Sequence, residues 1–221
     1  ARYTFYDENS AGRMLRESDL PELGDDVAAV LFGCISLIAE PCGSVYETLM
    51  AREAPRRVMY LDPNIREIFI ADRQKHLARM RRMIALADIV KLSDEDLAWF
   101  AEPGEEHEVI RRWLALGPKL IVVTRGADGA DAWTADFHLH VPAIHVAVAD
   151  TVGAGDTVNA GILASLSQAG LLEKEKLVTL SREQVRRAVD LGMRAAAVTV
   201  SRPGANPPWD HELRSQQRPG L

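Results

Sequence analysis

Cysteine is scarce in this chain: Cys34 and Cys42 are the only two among 221 residues. That is too few for a disulfide framework. It points to a reducing cytoplasm in which both thiols pack as small hydrophobes. No apolar run reaches the ~18 residues of a membrane span, and no signal-peptide pattern opens the chain. Positive charge is not in excess. The net charge of −6 argues against broad nucleic-acid or anionic-membrane binding. No internal repeat or low-complexity segment is found. Neither common phosphate motif is present. No Gly-Lys-Ser/Thr triplet makes a Walker A loop, and Val158 stands where the last glycine of a dinucleotide G-x-G-x-x-G would fall. An initiator Met is also lacking. The opening "ARYTFYDENSAGR" is strand-like, so a start inside a domain is expected.

What is there is an ordinary globular composition, 47% hydrophobic and 26% charged, long enough for a sizeable core. Short β-rich runs alternate with helical patterns. "AAVLFGCI" (28–35), "RRVMYLD" (56–62), "DIVKL" (88–92) and "KLIVVT" (119–124) read as strands, mostly buried. Helices are expected over 44–54 and 70–87, the latter with Leu77, Met80, Ile84 and Ala87 on one face at spacings of three and four. Its basic run "RQKHLARMRR" (73–82) reads as a solvent face. Ser93, with acids behind it, is a helix N-cap candidate. An antiparallel hairpin is expected around Asp136, with further helices from Gly155 and Arg182. This alternation predicts an α/β fold with a mostly parallel central sheet, flanked by helices on both faces. His138, His140 and His145 alternate or trail across the hairpin without metal-ligand spacing. Trp133 and Phe137 pack, or flank a nucleotide.

The most informative stretch is "ADTVGAGDTVNAG" (149–161). Gly153-Ala154-Gly155 leaves the backbone bare, with positive φ expected at Gly155. At a helix start its N–H groups join the unsatisfied first-turn N–H groups and the positive end of the dipole. The result is an anion cradle. Asp156 beside it would repel a phosphate if it were simply another ligand. It makes sense as a base that takes the proton of a hydroxyl attacking that phosphate. The alternative is that Asp156 merely caps the helix.

"DTVGAGD" (150–156) resembles the C-terminal signature of the ribokinase-like (PfkB) carbohydrate kinases. "LDPNIR" (61–66), "VKLSDEDL" (90–97), "VTRGADG" (123–129) and "AAAVTVSRPGANP" (195–207) resemble further family landmarks, in the family's order. The resemblance runs over essentially the whole chain, and "FGCISLIAEPCGSVYE" and "KLSDEDLAW" look most like bacterial fructokinases. It implies a ribokinase-like fold. It also implies an N-terminal part, with a Gly-Gly element, much of the sugar pocket and part of a lid, that has no counterpart in these residues. Residues 1–221 are thus expected to be the C-terminal two-thirds to three-quarters of a single kinase domain. Residues 1–12 would be a lid or substrate-side strand and 214–221 a flexible tail.

By the same resemblance Asp156 is the general base and Gly153, Ala154 and Gly155 form the anion hole. Thr124, Gly126 and Ser93 are nucleotide-side positions, although Thr124 and Gly126 also read as a strand-end turn. Asp62, Asn64 and Arg66 fall after a buried strand, where ligands bind in open α/β sheets; an Asx-type turn with a surface Arg is the alternative. Tyr6 and Asn9 are further substrate candidates. Lys91, Glu95 and Asp96 would organise Mg²⁺ waters, or form a solvated helix start. Ser93 and Asp96 depart from the Asn and Glu of many members. Asp150, Val152, Thr199, Arg202 and Gly204 resemble the oxygen donors of a K⁺ site, although "SRPGANPP" by itself is a proline-rich loop.

The implied activity is transfer of the ATP γ-phosphate, with Mg²⁺ and possible K⁺, to a primary hydroxyl of a ketose, fructose first. 2-Keto-3-deoxygluconate kinase and ribokinase activities are alternatives. A non-catalytic nucleotide-binding fragment or degenerate paralogue is the alternative of a different class. The expected partners are ATP and a sugar, with neither nucleic acid nor membrane, and a homodimer among the assemblies allowed.

Overall fold

The computed structural model describes residues 7–214. The chain divides into two units, Ala1–Ile121 and Val122–Leu221. The division falls inside the fourth strand.

The first unit contains β1 (Ala29–Gly33), α1 (Cys42–Glu53), β2 (Val58–Asp62), α2 (Arg73–Leu86), β3 (Ile89–Ser93), α3 (Asp94–Phe100) and α4 (Glu106–Leu116). β1 runs parallel to β2, with Ala29 opposite Val58 and Gly33 opposite Asp62. β2 runs parallel to β3, with Tyr60 opposite Ile89. Every residue of β2 is buried, which is why it reads as a continuous apolar run and not as an alternation. Gly33 is required by a close approach: a Cβ there would lie 2.2 Å from the Asp62 carbonyl oxygen. Adjacent parallel strands joined in sequence by right-handed crossovers carry their helices on one face, and α1 packs on α2 and α2 on α4.

α2 starts where Asp72 accepts the Lys75 N–H at 2.9 Å, and it buries the expected face of Leu77, Met80 and Ile84. Its basic run departs from expectation. Arg79 is only 3% exposed. It donates to the Leu37 carbonyl at 2.9 Å, to Glu40 at 2.5 Å and to the Ser44 hydroxyl at 2.9 Å. Arg79 therefore clamps α2 to α1 and the segment before it, where a solvent face was expected. α4 was not foreseen, since only Val109, Ile110 and Trp113 of its eleven residues are buried. Residues 7–10, the described part of the strand expected at the start, form a turn with Asn9 at φ 59. Both cysteines are free, and burial raises the Cys42 thiol above its usual range.

β4 (Leu120–Thr124) leads into the second unit, which holds β5 (Ala130–Trp133), β6 (His138–Val141), α5 (Ala154–Gln168), α6 (Lys174–Leu177), α7 (Arg182–Val200) and α8 (Asp210–Arg214). Strand order in the sheet follows chain order from β1 to β6. The hairpin expected around Asp136 is present, with β5 and β6 antiparallel and Asp131 opposite His140. α7 packs on β5 and β6 and most extensively on α5. The α5–α7 crossing is very close, because a Cβ at Gly161 would lie 2.5 Å from the Gly192 Cα. On the outer hairpin face His138 and His140 each sit 3.0 Å from one Asp131 oxygen, and Arg125 holds the other at 2.6 Å. Burial raises the Asp131 carboxyl, but these three donors outweigh it and leave the carboxyl below its usual range. Trp133 stacks on His138 with ring centroids 4.5 Å apart. Among the described residues no helix is long and apolar enough to cross a membrane.

Candidate active site

The glycine stretch folds as a helix start. Gly153 is the N-cap of α5, at φ 79 and ψ 0. The left-handed residue is thus Gly153, where the sequence reading had placed positive φ at Gly155; Gly155 already lies in the helix. A side chain at Gly153 would also press on Ala205, whose Cβ would lie 3.1 Å away. The Gly153 carbonyl accepts both the backbone N–H and the hydroxyl of Thr157, at 2.9 and 2.8 Å. Ala154 donates weakly to the Thr151 carbonyl at 3.3 Å. The next two N–H groups, of Gly155 and Asp156, are first-turn donors that α5 itself leaves without an acceptor. Asp156 is exposed and accepts no capping bond from the helix.

Ala154 and Gly155 form one wall of a cavity of about 320 Å³ within the second unit, and Thr124 and Gly126 form another. The structure thereby joins two motifs that lie 30 residues apart in sequence. Gly126 has φ 53, and the space its absent Cβ would occupy is open, so a ligand can approach the backbone there. The remaining walls were not foreseen. Ile144, Val146 and Val148 come from the segment before the glycine turn, and Met193, Ala196 and Ala197 from α7. Their signal was the alternating "AIHVAVA" (143–149) and the small-residue run at 195–197. His145, set aside for lack of metal spacing, also lines this cavity. Trp133 and Phe137 do not. An apolar slot ending in a bare helix N-terminus takes a flat heterocycle at one end and phosphate at the other.

Asp150 ties the glycine turn to the loop after α7. One carboxylate oxygen accepts the Val152 N–H at 3.0 Å and the other the Gly204 N–H at 2.9 Å. These bonds hold the carboxyl below its usual range. Three of the five residues expected around K⁺ are thus brought together. Thr199 is fully buried, its hydroxyl 3.0 Å from that of Thr157, and its carbonyl accepts the Arg202 N–H at 3.2 Å. The Arg202 guanidinium pairs with Glu212.

In the first unit, Asp62 ends β2 fully inside the protein and pairs with Lys91 at 3.1 Å. Lys91 thus neutralises a buried carboxylate. Asn64 takes φ 42, and Arg66 is half-buried with Nη1 3.0 Å from the Ile65 carbonyl. Ser93 is the N-cap of α3, accepting the Asp96 N–H at 3.0 Å. The Asp96 carboxylate is engaged twice, accepting the Ser93 N–H at 3.1 Å and the Ile65 N–H at 2.8 Å. It is 8% exposed and pins the 62–66 loop to α3. Glu95 is exposed. Of the two acids only Glu95 leaves its carboxylate open to solvent, and no group of three His, Cys, Asp or Glu residues among those described is arranged to hold a metal ion. Asn9 is exposed in its turn, and Tyr6 lies outside the described residues.

An α/β unit that ends an apolar slot on a glycine-lined helix N-terminus, with a free carboxylate one residue on, is a phosphate-handling unit. The chain belongs to the pfkB family of carbohydrate kinases, which it matches over residues 3–212. It is 53% identical over 190 residues to a fructokinase of Rhizobium leguminosarum bv. trifolii, covering 86% of this chain and 58% of that protein. It is 32% identical to probable fructokinase-2 of Arabidopsis thaliana, covering 96% of this chain and 64% of that one. Among solved structures it is similar to the fructokinase of Vibrio cholerae O395 bound to fructose, ADP and calcium. The TM-score is 0.77 at 27% identity, covering 89% of this chain and 62% of the other. The aminoimidazole riboside kinase of Salmonella enterica, complexed with aminoimidazole riboside and an ATP analog, gives a TM-score of 0.78 at 26% identity, covering 92% and 66%. The chain thus spans less than two thirds of the length of these curated relatives.

Proposed function

We propose that this chain forms the nucleotide-binding and phosphoryl-transfer part of an ATP-dependent sugar kinase, whose acceptor is a primary hydroxyl of a ketose, fructose first. The observation that carries this reading is the shared cavity of Thr124, Gly126, Ala154 and Gly155, with the exposed Asp156 next after Gly155 in the first turn of α5. The fructokinases among its relatives support the choice of sugar.

In this reading the adenine lies between the 144–148 segment and α7. The phosphates meet the N–H groups of Gly155 and Asp156, which stabilise charge developing on the transferred group. The acceptor hydroxyl gives its proton to Asp156 as its oxygen attacks the γ-phosphorus. The bond to the β–γ bridging oxygen breaks, and ADP leaves. Positioning of the two reactants supplies most of the acceleration.

Mg²⁺, when bound, neutralises phosphate charge, and it fits a site made mostly of phosphate and water oxygens, since Asp96 is committed to backbone bonds. K⁺ would take its oxygens from the Asp150 carboxylate and from backbone carbonyls of the two segments whose Val152 and Gly204 N–H groups that carboxylate ties together. The free cysteines suit the reducing cytoplasm.

The test is calorimetric titration of ADP together with a coupled assay on fructose, ribose and 2-keto-3-deoxygluconate. ADP binding is expected, with weak turnover that is highest on fructose. Nucleotide binding without turnover of any sugar would reduce the chain to a nucleotide-binding unit.

A further inference from the structure

The cavity of about 320 Å³ in the second unit holds almost nothing that tells one base from another. Only three of its lining side chains carry a nitrogen or an oxygen, those of Thr124, His145 and Thr151. Two of these belong to the phosphate end. Thr124 stands next to the loop of Gly126, and Thr151 opens the glycine turn, where its carbonyl accepts the Ala154 N–H at 3.3 Å. The other end is lined by Ile144, Val146 and Val148 and by the α7 residues Met193, Ala196 and Ala197. His145 is the one side chain there that forms hydrogen bonds, and no carboxylate, amide or cationic side chain lines the cavity.

Adenine and guanine differ along one edge. Adenine shows an amino donor beside a ring-nitrogen acceptor, and guanine a carbonyl acceptor beside a ring N–H donor. A site with fixed, buried partners for one such pattern rejects a ligand that leaves them unpaired by about 10⁴–10⁵-fold, whereas an apolar pocket separates near-isosteres by only about 10–200-fold. No fixed pair is built here. His145 is exposed, and a neutral imidazole offers one donor and one acceptor, which meet either edge. The main chain is equally even-handed. Residues 144–148 lie outside helix and strand, and their peptide groups bond to no other part of the described main chain. The next residue does, Ala149 donating to the Val200 carbonyl at 2.7 Å. Each of those peptides brings one donor and one acceptor. The slot is also open along this segment, with Val148 64% exposed, which leaves room for the 2-amino group that guanine has and adenine lacks.

We propose that this site takes purine nucleotides without choosing between adenine and guanine, so that GTP serves as phosphoryl donor in place of ATP. The proposal rests on the kinase reading and alters only the base. The acceptor oxygen bonds to the γ-phosphorus, the bond to the β–γ bridging oxygen breaks, Asp156 takes the hydroxyl proton and GDP leaves. Pyrimidine nucleotides bind more weakly, because a single ring buries less apolar surface between the 144–148 segment and α7.

The test is calorimetric titration of the intact chain with ADP, GDP and UDP at one Mg²⁺ concentration, followed by the fructose assay with ATP and with GTP. GDP should bind within about tenfold of ADP, as an apolar pocket allows, and UDP more weakly than either. GTP should support turnover wherever ATP does. His145→Ala should lower the affinities for ADP and GDP by the same factor. A GDP affinity further than that below ADP, or turnover with ATP and none with GTP, would overturn the proposal and leave the kinase reading standing. A His145→Ala loss confined to one purine would also overturn it, since the imidazole would then be a selective reader. UDP binding as tightly as ADP would overturn the preference for purines. Binding of none of the three would remove the kinase reading and this proposal with it.

Discussion

The hydroxyls of Thr157 and Thr199 lie 3.0 Å apart, buried, and link the first turn of α5 to the last full turn of α7. Thr199 Oγ1 bonds in turn to the Ala195 carbonyl at 3.1 Å, and Thr157 Oγ1 to that of Gly153. The helix start that presents Asp156 is thus locked against a wall of the same cavity. Asp156 is held by its neighbour's bonds and makes none of its own, which leaves its carboxylate for chemistry.

The first prediction follows from that division of labour. Asp156→Asn should lower kcat about 10²–10⁴-fold, the range for a lost general base, with ADP affinity and Tm close to wild type. A kcat within a few-fold of wild type would mean that Asp156 only starts the helix.

The two glycines of the turn should respond differently. Gly153→Val forces a branched residue to φ 79 and against Ala205, costing about 1–3 kcal/mol of stability, readable by urea unfolding. Gly155→Val keeps a helical backbone but intrudes on the cavity, so ADP affinity should fall about tenfold or more, ~1.4 kcal/mol, with the fold intact. Equal losses of stability in the two variants would contradict the separation of roles.

Asp96 is expected to act as a brace. Asp96→Ala leaves the N–H groups of Ile65 and Ser93 without acceptors, at a cost of about 1–3 kcal/mol. The Mg²⁺ dependence of ADP binding should not move. A variant of unchanged stability that needs tenfold more Mg²⁺ would restore Asp96 as a metal residue.

His76 and Glu40 set the acid limb of stability. His76 titrates at about 4 when folded, against 6.5 when free. The unfolded chain therefore binds the extra proton between those values. Stability is full above pH 6.5 and falls as pH drops toward 4, by at most about 1.4 kcal/mol per pH unit. Burial raises the Glu40 carboxyl, but Lys75, Arg79 and Ser44 outweigh it and bring it to about 2 from 4.5. Its contribution is lost only below pH 4.5. Urea midpoints at pH 7, 5.5, 4 and 2.5 should show both steps, and His76→Phe should flatten the slope between pH 6.5 and 4.5 alone. An unchanged slope in that variant would place the titration on another group.

Local signals in the sequence were followed by the structure where one segment decided the outcome. The Ser93 cap, the α2 face of Leu77, Met80 and Ile84, the hairpin about Asp136 and the start of α7 at Arg182 all formed as the residues suggested. The failures lie where a distant partner decides. Arg79 reads as a surface residue until Glu40 and the Leu37 carbonyl arrive from 39 and 42 residues away. The bond from the Ile65 N–H to the Asp96 carboxylate, across 31 residues, is likewise invisible in the sequence. The glycine-turn end of the cavity was legible because the bare backbone and its acid are contiguous in sequence. The apolar end was not, because helix α7 and the 143–149 segment meet only in the fold.

Gly161 and Gly192 carry one further consequence. A Cβ at Gly161 would lie 2.5 Å from the Gly192 Cα, and one at Gly192 would lie 2.9 Å from the Val158 carbonyl oxygen. No single substitution at either position is small enough to be gradual, since even a methyl group must push α5 off α7. Divergence among descendants of this sequence is therefore channelled. The helix pair is thereby held fixed at this crossing, whereas the 144–148 segment, which lines the same cavity as Met193, Ala196 and Ala197 of α7, can vary without moving a helix.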